Sequence, residues 1–298
     1  MTFETTLEPR RPYSLALSAR LRSDPTRRFR DGVLTMAFEV DGEPALALVR
    51  QRPDGSLAAT IGSERPDAAL PKLRFVLATD DDHAPFLRRF ADDPLLGPAL
   101  RRLRGLRPLR TATVTHALLK AVCGQLIEAR AARQLEARLL RAYGTRSPRE
   151  DLLLPPTRAT FGGSSTARLA RDGLVARKAT TLVRVSREWD VEKLHRVETT
   201  AAAARIERER GLGPWSAGVI SLYGLGRFER GLVGDLGLLK LCSSLLGRRA
   251  EPEDTRELLE RYDEWAGLAS VYLLASAGPL SSGSPRPRPG GGSPPGEA

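Results

Sequence analysis

The sequence predicts an α+β protein: an antiparallel β-sheet at the N-terminus followed by an all-helical body. Three observations carry this. Through residue 61, apolar and polar residues alternate in short runs separated by Asp-Gly turns, the signature of hairpins. From residue 115 the apolar residues recur at helical spacing. Late in the chain, two helical stretches meet through Gly211-Leu212-Gly213, a turn that leaves backbone amides exposed at a helix start.

Taken in order, residues 1–10 are expected to be frayed. Residues 14–19 (SLALSA) alternate and read as a first strand, and residues 32–40 as a second. Asp41-Gly42 turns the chain back through 45–50, Asp54-Gly55 turns it again, and 57–61 gives a fourth strand. A short helical turn is expected over 67–73. Residues 82–90 and then 93–103 read as helices, with a loop at Gly105-Leu106-Arg107-Pro108. Residues 115–143 form a long amphipathic pattern, which Gly124-Gln125-Leu126 divides into two helices or kinks. Pro155-Pro156 and Gly162-Gly163 mark a loop. Helical periodicity resumes over 169–189, 191–210 and 251–276. The expected domains are 1–105 (sheet with flanking helices), 106–276 (helical) and 277–298, a Pro/Gly/Ser-rich tail without apolar anchors that should be disordered. No internal repeat is present.

Composition narrows the function. A net charge of +11 and a pI near 10.4 favour a polyanionic partner. Almost all the basic charge is arginine, so charge weighs toward nucleic acid without deciding it. Two cysteines, Cys123 and Cys242, exclude a zinc site or iron–sulfur cluster held by four cysteines of this chain. Both lie in apolar helical contexts and read as buried free thiols. The polar, acidic N-terminus does not read as a signal peptide, and no apolar run reaches the roughly 20 residues of a membrane span. The expectation is a cytoplasmic monomer with no membrane partner. His83, His116 and His195 are scattered and suggest surface or packing roles.

The chemistry concentrates in residues 211–235, GLGPWSAGVISLYGLGRFERGLVGD. Amides at the start of a helix suit a phosphate. Asp235 follows a glycine and can serve as a helix N-cap or as a catalytic acid. This string resembles the helix-hairpin-helix and Gly/Pro-Asp signature of the DNA glycosylase superfamily. Gly-Pro-Trp-Ser-Ala, with Gly-Asp-Leu-Gly-Leu after it, is most similar to the 3-methyladenine DNA glycosylase II (AlkA-like) branch. The resemblance covers about residues 13–276 and is specific over 115–144 and 211–240. It implies that the helical body is a helix-hairpin-helix glycosylase core with a cleft for a flipped base.

The resemblance also implies roles for individual residues. Asp235 matches the catalytic aspartate. Trp215 stands where lyase-active relatives carry a nucleophilic lysine, which implies hydrolysis by water; its indole face suits an electron-poor base. Trp265 matches a tryptophan that walls the base pocket, although Glu-Trp-Ala-Gly departs from the usual Pro-Trp-Arg-Ser. Val219 replaces a further aromatic residue of the pocket. Gln125 lies near the pocket, and Leu126 matches the wedge that fills the gap left by the flipped nucleotide, a buried helix position being the alternative. Amides around Gly211, Gly213 and Trp215 would bind a phosphate of double-stranded DNA. A structural monovalent cation would take the carbonyls of Glu207, Glu209 and Leu212; no other cofactor is required. The implied activity is base excision of alkylated purines from damaged DNA. Two alternatives stay open: a glycosylase for oxidised or deaminated bases, and a damaged-DNA-binding protein without turnover.

Overall fold

The computed structural model describes residues 1–20, 24–148 and 151–277. Among the described residues, five strands form one antiparallel sheet: β1 (Thr2–Leu7), β2 (Arg27–Arg30), β3 (Val33–Val40), β4 (Glu43–Gln51) and β5 (Leu57–Gly62), in the order β1-β5-β4-β3-β2. The β3–β4 hairpin closes on Asp41-Gly42, both at positive φ (50° and 84°), as a tight hairpin turn requires.

The first residues are not frayed. β1 pairs with β5 along the sheet edge and buries Leu7, covering a strand edge that would otherwise stand unpaired. Residues 14–19 are not a strand either. They enter helix α1 (Leu15–Arg20), where Ser14 Oγ accepts from Leu17 N (3.3 Å) and Ser18 Oγ donates to Ser14 O (2.7 Å). Leu15, Ser18 and Ala19 are buried at i, i+3 and i+4, a spacing that the alternation of SLALSA mimics. Helix α2 (Pro66–Leu77), longer than the expected turn, packs Ala69, Leu73 and Val76 onto the sheet core with Met36, Phe38, Val49 and Ile61.

Helices α3 (Ala84–Arg89) and α4 (Gly97–Arg102) follow. Phe86, Phe90, Leu96, Leu100, Leu103 and Leu106 pack into the helical core, whereas Leu109 and Ala112 return to the sheet core. Buried Arg107 ties the two together by donating to the carbonyls of Asp81 (2.8 Å), Arg10 (2.6 Å) and Pro12 (3.0 Å).

The helical part comprises α5 (Val114–Gly124), α6 (Ala129–Tyr143), α7 (Arg158–Gly162), α8 (Thr166–Arg171), α9 (Ala176–Glu188), α10 (Thr199–Glu207), α11 (Pro214–Val219, running on as π-helical turns over Ile220–Leu225), α12 (Leu236–Leu246), α13 (Pro252–Glu260) and α14 (Ala266–Ala277). Gly124-Gln125-Leu126 separates two helices rather than kinking one. The 155–163 region holds a short helix instead of only a loop, started by a Thr157–Thr160 capping box. The pattern over 169–189 splits at Gly173 (φ 102°), and 191–210 is a 3-10 turn (Val191–Arg196) before α10. The 251–276 stretch is likewise interrupted by the 3-10 turn Asp263–Trp265. Of the expected tail, only Ala277 lies within the described residues.

A buried charge group fixes α5 against α6. Glu136 accepts from Lys120 Nζ at both oxygens (2.6 and 2.7 Å) and lies 3.0 Å from His116 Nε2. Asp24, bridged to Arg27 (3.3 Å), brings the sheet domain to the same place. Burial alone pushes the Glu136 carboxyl up. The Lys120 ammonium and the hydrogen bonds from His116 and Lys120 outweigh it and hold the group well below the usual glutamate range. Cys123 and Cys242 are buried free thiols, and His83 and His116 are packed in the interior. Among the described residues, no helix is long and apolar enough to cross a membrane.

Candidate active site

Four segments build the site: the α5–α6 turn, the 208–213 hairpin, the first turns of α11, and the start of α12. The hairpin leaves α10 after Glu207 and closes with Leu212 N donating to Glu209 O (2.9 Å). Gly211 sits at φ 91°, and a Cβ there would lie 2.3 Å from Thr181 Oγ1, so the turn needs glycine for both conformation and space. Gly213 is the extended N-cap of α11 and Pro214 its first residue. The amides that open this helix have no acceptor one turn back.

Helix α9 braces the hairpin. Arg184 donates to Arg210 O (2.8 Å) and pairs with Glu209 Oε2 (2.8 Å), while Thr181 Oγ1 lies 3.4 Å from Arg210 O. Three residues before Thr181 on the same helix, Lys178 Nζ donates to Gln125 O (2.6 Å). Lys178, Thr181 and Arg184 thus form one polar row on α9. The sequence reading did not single these three out, although a polar residue every third position in a helix with an apolar opposite face is a legible signal.

The α5–α6 turn meets the hairpin directly. Gln125 Nε2 donates to Gly211 O (2.7 Å) and to Ser216 Oγ (3.1 Å). The Trp215 ring lies so close over Gly124 that a Cβ there would stand 2.5 Å from the indole. Leu126 adopts a left-handed backbone (φ 56°) and is 73% exposed. It is therefore a projecting apolar side chain on a rigid turn, not the buried helix position that the sequence left open.

Asp235 caps α12, Oδ1 accepting from Gly237 N (2.8 Å), and Oδ2 accepts from Trp215 Nε1 (3.1 Å). The indole N–H thus joins the hairpin helix to the acid twenty residues later. Two neutral donors fix the half-buried carboxylate. An ionised carboxylate has about four lone-pair sites, so acceptor capacity remains for water. Two hydrogen-bonded sets thus meet at the hairpin helix: Trp215 with Asp235, and Gln125 with Gly211 and Ser216.

The remaining predicted residues are placed differently. Trp265 is half-buried, stacks on Phe228 (centroids 6.0 Å, 21°) and tilts against Phe86 (5.6 Å, 39°). Val219 is buried in the helical core. Of the carbonyls assigned to a cation, Glu209 O also closes the hairpin turn. The set is neutral and all-oxygen, the donor chemistry that a hard monovalent ion takes.

No protein-family model matches the sequence. The chain is 26% identical over 205 residues to the DNA-3-methyladenine glycosylase of Bacillus subtilis (strain 168), spanning 65% of this chain and 67% of that one. Among solved structures, it resembles the 3-methyladenine DNA-glycosylase from Archaeoglobus fulgidus with a TM-score of 0.78 at 22% identity, covering 92% of this chain and 97% of the other. It also resembles an 8-oxoguanine glycosylase/lyase of Clostridium acetobutylicum solved with double-stranded DNA: TM-score 0.72, 16% identity, 89% and 91% covered. The chain shares the fold of these two solved structures.

Proposed function

We propose that this chain is a monofunctional DNA glycosylase that removes alkylated purines from double-stranded DNA by base flipping and hydrolysis of the N-glycosidic bond. The observation that carries the reading is the Trp215–Asp235 hydrogen bond at the end of the hairpin helix, 3.1 Å long. Phosphate binding by a hairpin does not need an acid, and this one is held in place by two donors. The likeness to the Bacillus subtilis glycosylase points to the same activity.

In this reading the amides of Gly211, Gly213 and Trp215 hold a backbone phosphate, and a monovalent cation on the Glu207, Glu209 and Leu212 carbonyls would add positive charge beside it. Leu126 enters the stack as the nucleotide leaves, and Trp215, Gln125 and Trp265 border the space for the base, with Val219 packed in the core behind them. As the glycosidic bond lengthens, positive charge grows on the deoxyribose. The Asp235 carboxylate stabilises that charge and accepts a proton from the attacking water. A cationic base such as 3-methyladenine or 7-methylguanine is already a good leaving group, so one well-held carboxylate suffices. The chain acts as a monomer.

Trp215 leaves no amine at the hairpin for a Schiff base. The nearby amines are engaged: Lys178 Nζ donates to Gln125 O, and Lys240 Nζ pairs with Glu128 at 3.0 Å. Duplex DNA carrying alkylated purines should therefore break only after alkali treatment, and borohydride should trap no covalent adduct. Strand scission without alkali, or a trapped adduct, would overturn the monofunctional assignment; no alkali-labile sites at all would overturn the glycosylase.

A second expectation concerns Leu126. Apolar burial in the vacated gap recovers on the order of 1–3 kcal/mol. Leu126→Ala should weaken binding to a stable abasic analogue about ten- to a hundredfold. Binding to undamaged duplex should hardly change, because phosphate contacts dominate there. Being exposed, Leu126 can be truncated without cost to the fold. An unchanged abasic preference in an equilibrium titration would remove Leu126 from the wedge role.

A further inference from the structure

Leu126 stands in a backbone conformation that leucine avoids, φ 56°. Its next neighbour contributes only a long turn contact, Ile127 N to Gly124 O at 3.5 Å. What fixes the turn lies on its other side, at Gln125. The Gln125 side chain is hooked onto the hairpin through Gly211 O and Ser216 Oγ. Its main-chain carbonyl, the peptide immediately before Leu126, accepts from Lys178 Nζ at 2.6 Å. Lys178 is only 5% exposed. A lysine this buried, giving its charged hydrogen bond to a carbonyl 53 residues away, is costly to place unless that carbonyl must be held. Thr181 and Arg184, on the same face of α9, grip the hairpin at Gly211, Arg210 and Glu209. One helix therefore sets the position of the Leu126 turn relative to the hairpin.

We propose that Lys178 is a positioning residue for DNA interrogation: its ammonium locks the Gln125–Leu126 peptide, so that Leu126 is presented to the duplex already ordered, at a fixed distance from the phosphate-binding hairpin. The proposal rests on the reading of Leu126 as the wedge. Pre-ordering matters because a side chain that must be immobilised on binding loses part of its contact energy to that ordering. Burial lowers the Lys178 pKa; the ammonium form gives the stronger, charge-assisted hydrogen bond to Gln125 O. With so little surface, Lys178 acts through Gln125 and not by touching a phosphate.

The test is a double-mutant cycle on the full chain, read as dissociation constants for a duplex containing a tetrahydrofuran abasic analogue and for the undamaged duplex. Lys178→Met should weaken abasic binding about tenfold and leave undamaged binding unchanged. In the Leu126→Ala background it should have no further effect, because there is no wedge left to position. Additive losses in the double variant would overturn the proposal, as would equal losses on both duplexes, which would make Lys178 a phosphate contact. If Leu126→Ala alone spares the abasic preference, the wedge reading fails and takes this proposal with it, whereas a normal Leu126→Ala effect with a silent Lys178→Met sinks the Lys178 role alone. Should the methionine variant lose its melting transition, Lys178→Gln, whose shorter stem keeps a polar end but cannot reach Gln125 O in the same place, carries the same cycle.

Discussion

Asp235→Asn should lower single-turnover base release by about 10³-fold or more, the upper end of what removing one electrostatic stabiliser costs, while lesion-DNA binding persists. The fold should survive because asparagine caps a helix as well as aspartate does, so the bond to Gly237 N can be kept. The Trp215 bond cannot be kept at the same time. With the amide oxygen facing Gly237, the amide nitrogen faces the indole N–H, and two donors meet. A stability loss of about 1 kcal/mol is expected from that mismatch, far too small to account for the lost activity. Turnover equal to the wild type would reject Asp235 as the catalyst. A collapsed melting transition with little specific loss of chemistry would leave it only the capping role.

Glu136→Gln should produce the largest loss of stability. Glu136 is buried and is the shared partner of Lys120 and His116 between α5 and α6. Removing one member of a buried ion pair costs about 3–5 kcal/mol. At about 2–4 °C per kcal/mol for a protein of this size class, the melting midpoint should fall by at least about 6 °C. The pH dependence follows from the direction of the shift. The folded-state carboxyl is held far below its ordinary value of 4.5, so its contribution is complete above that value and is lost as pH falls below it. The gap between wild type and variant should stay constant from neutral pH down to about 5 and shrink below about 4. A midpoint lowered by less than about 2 °C at neutral pH, below the yield of one kcal/mol, would mean that the pair is solvated and contributes little. Because α5 and α6 carry the Leu126 turn between them, the variant should also loosen abasic-site recognition.

Much of the site was legible because backbone geometry dictates its residue types. Gly211 must yield to Thr181, and Gly124 must yield to the Trp215 ring, so glycine marks both turns in the sequence. Asp235 was legible for a related reason: it follows Gly234, which has φ 80°, and opens α12 with the geometry that an N-cap needs. The hairpins of the sheet were legible through Asp41-Gly42 and Asp54-Gly55. What escaped was set by distant partners. SLALSA satisfies both strand and helix spacing, and only its packing on the sheet core and the Ser14–Ser18 bond decide for α1. β1 is a strand because β5 offers it an edge. The Lys178–Gln125 and Trp215–Asp235 bonds join segments far apart in the chain, and no local pattern announces them.

The most direct measurement is the release of free base from a panel of duplexes, each carrying a single lesion: 3-methyladenine, 7-methylguanine, 8-oxoguanine, a deaminated base, or none. The account predicts that the two methylated purines are freed as intact bases by the wild-type chain, that Asp235→Asn frees neither at a comparable rate, and that the oxidised and deaminated bases stay in place. Release confined to the oxidised or deaminated bases, or no release from any lesion despite tight binding, would contradict it.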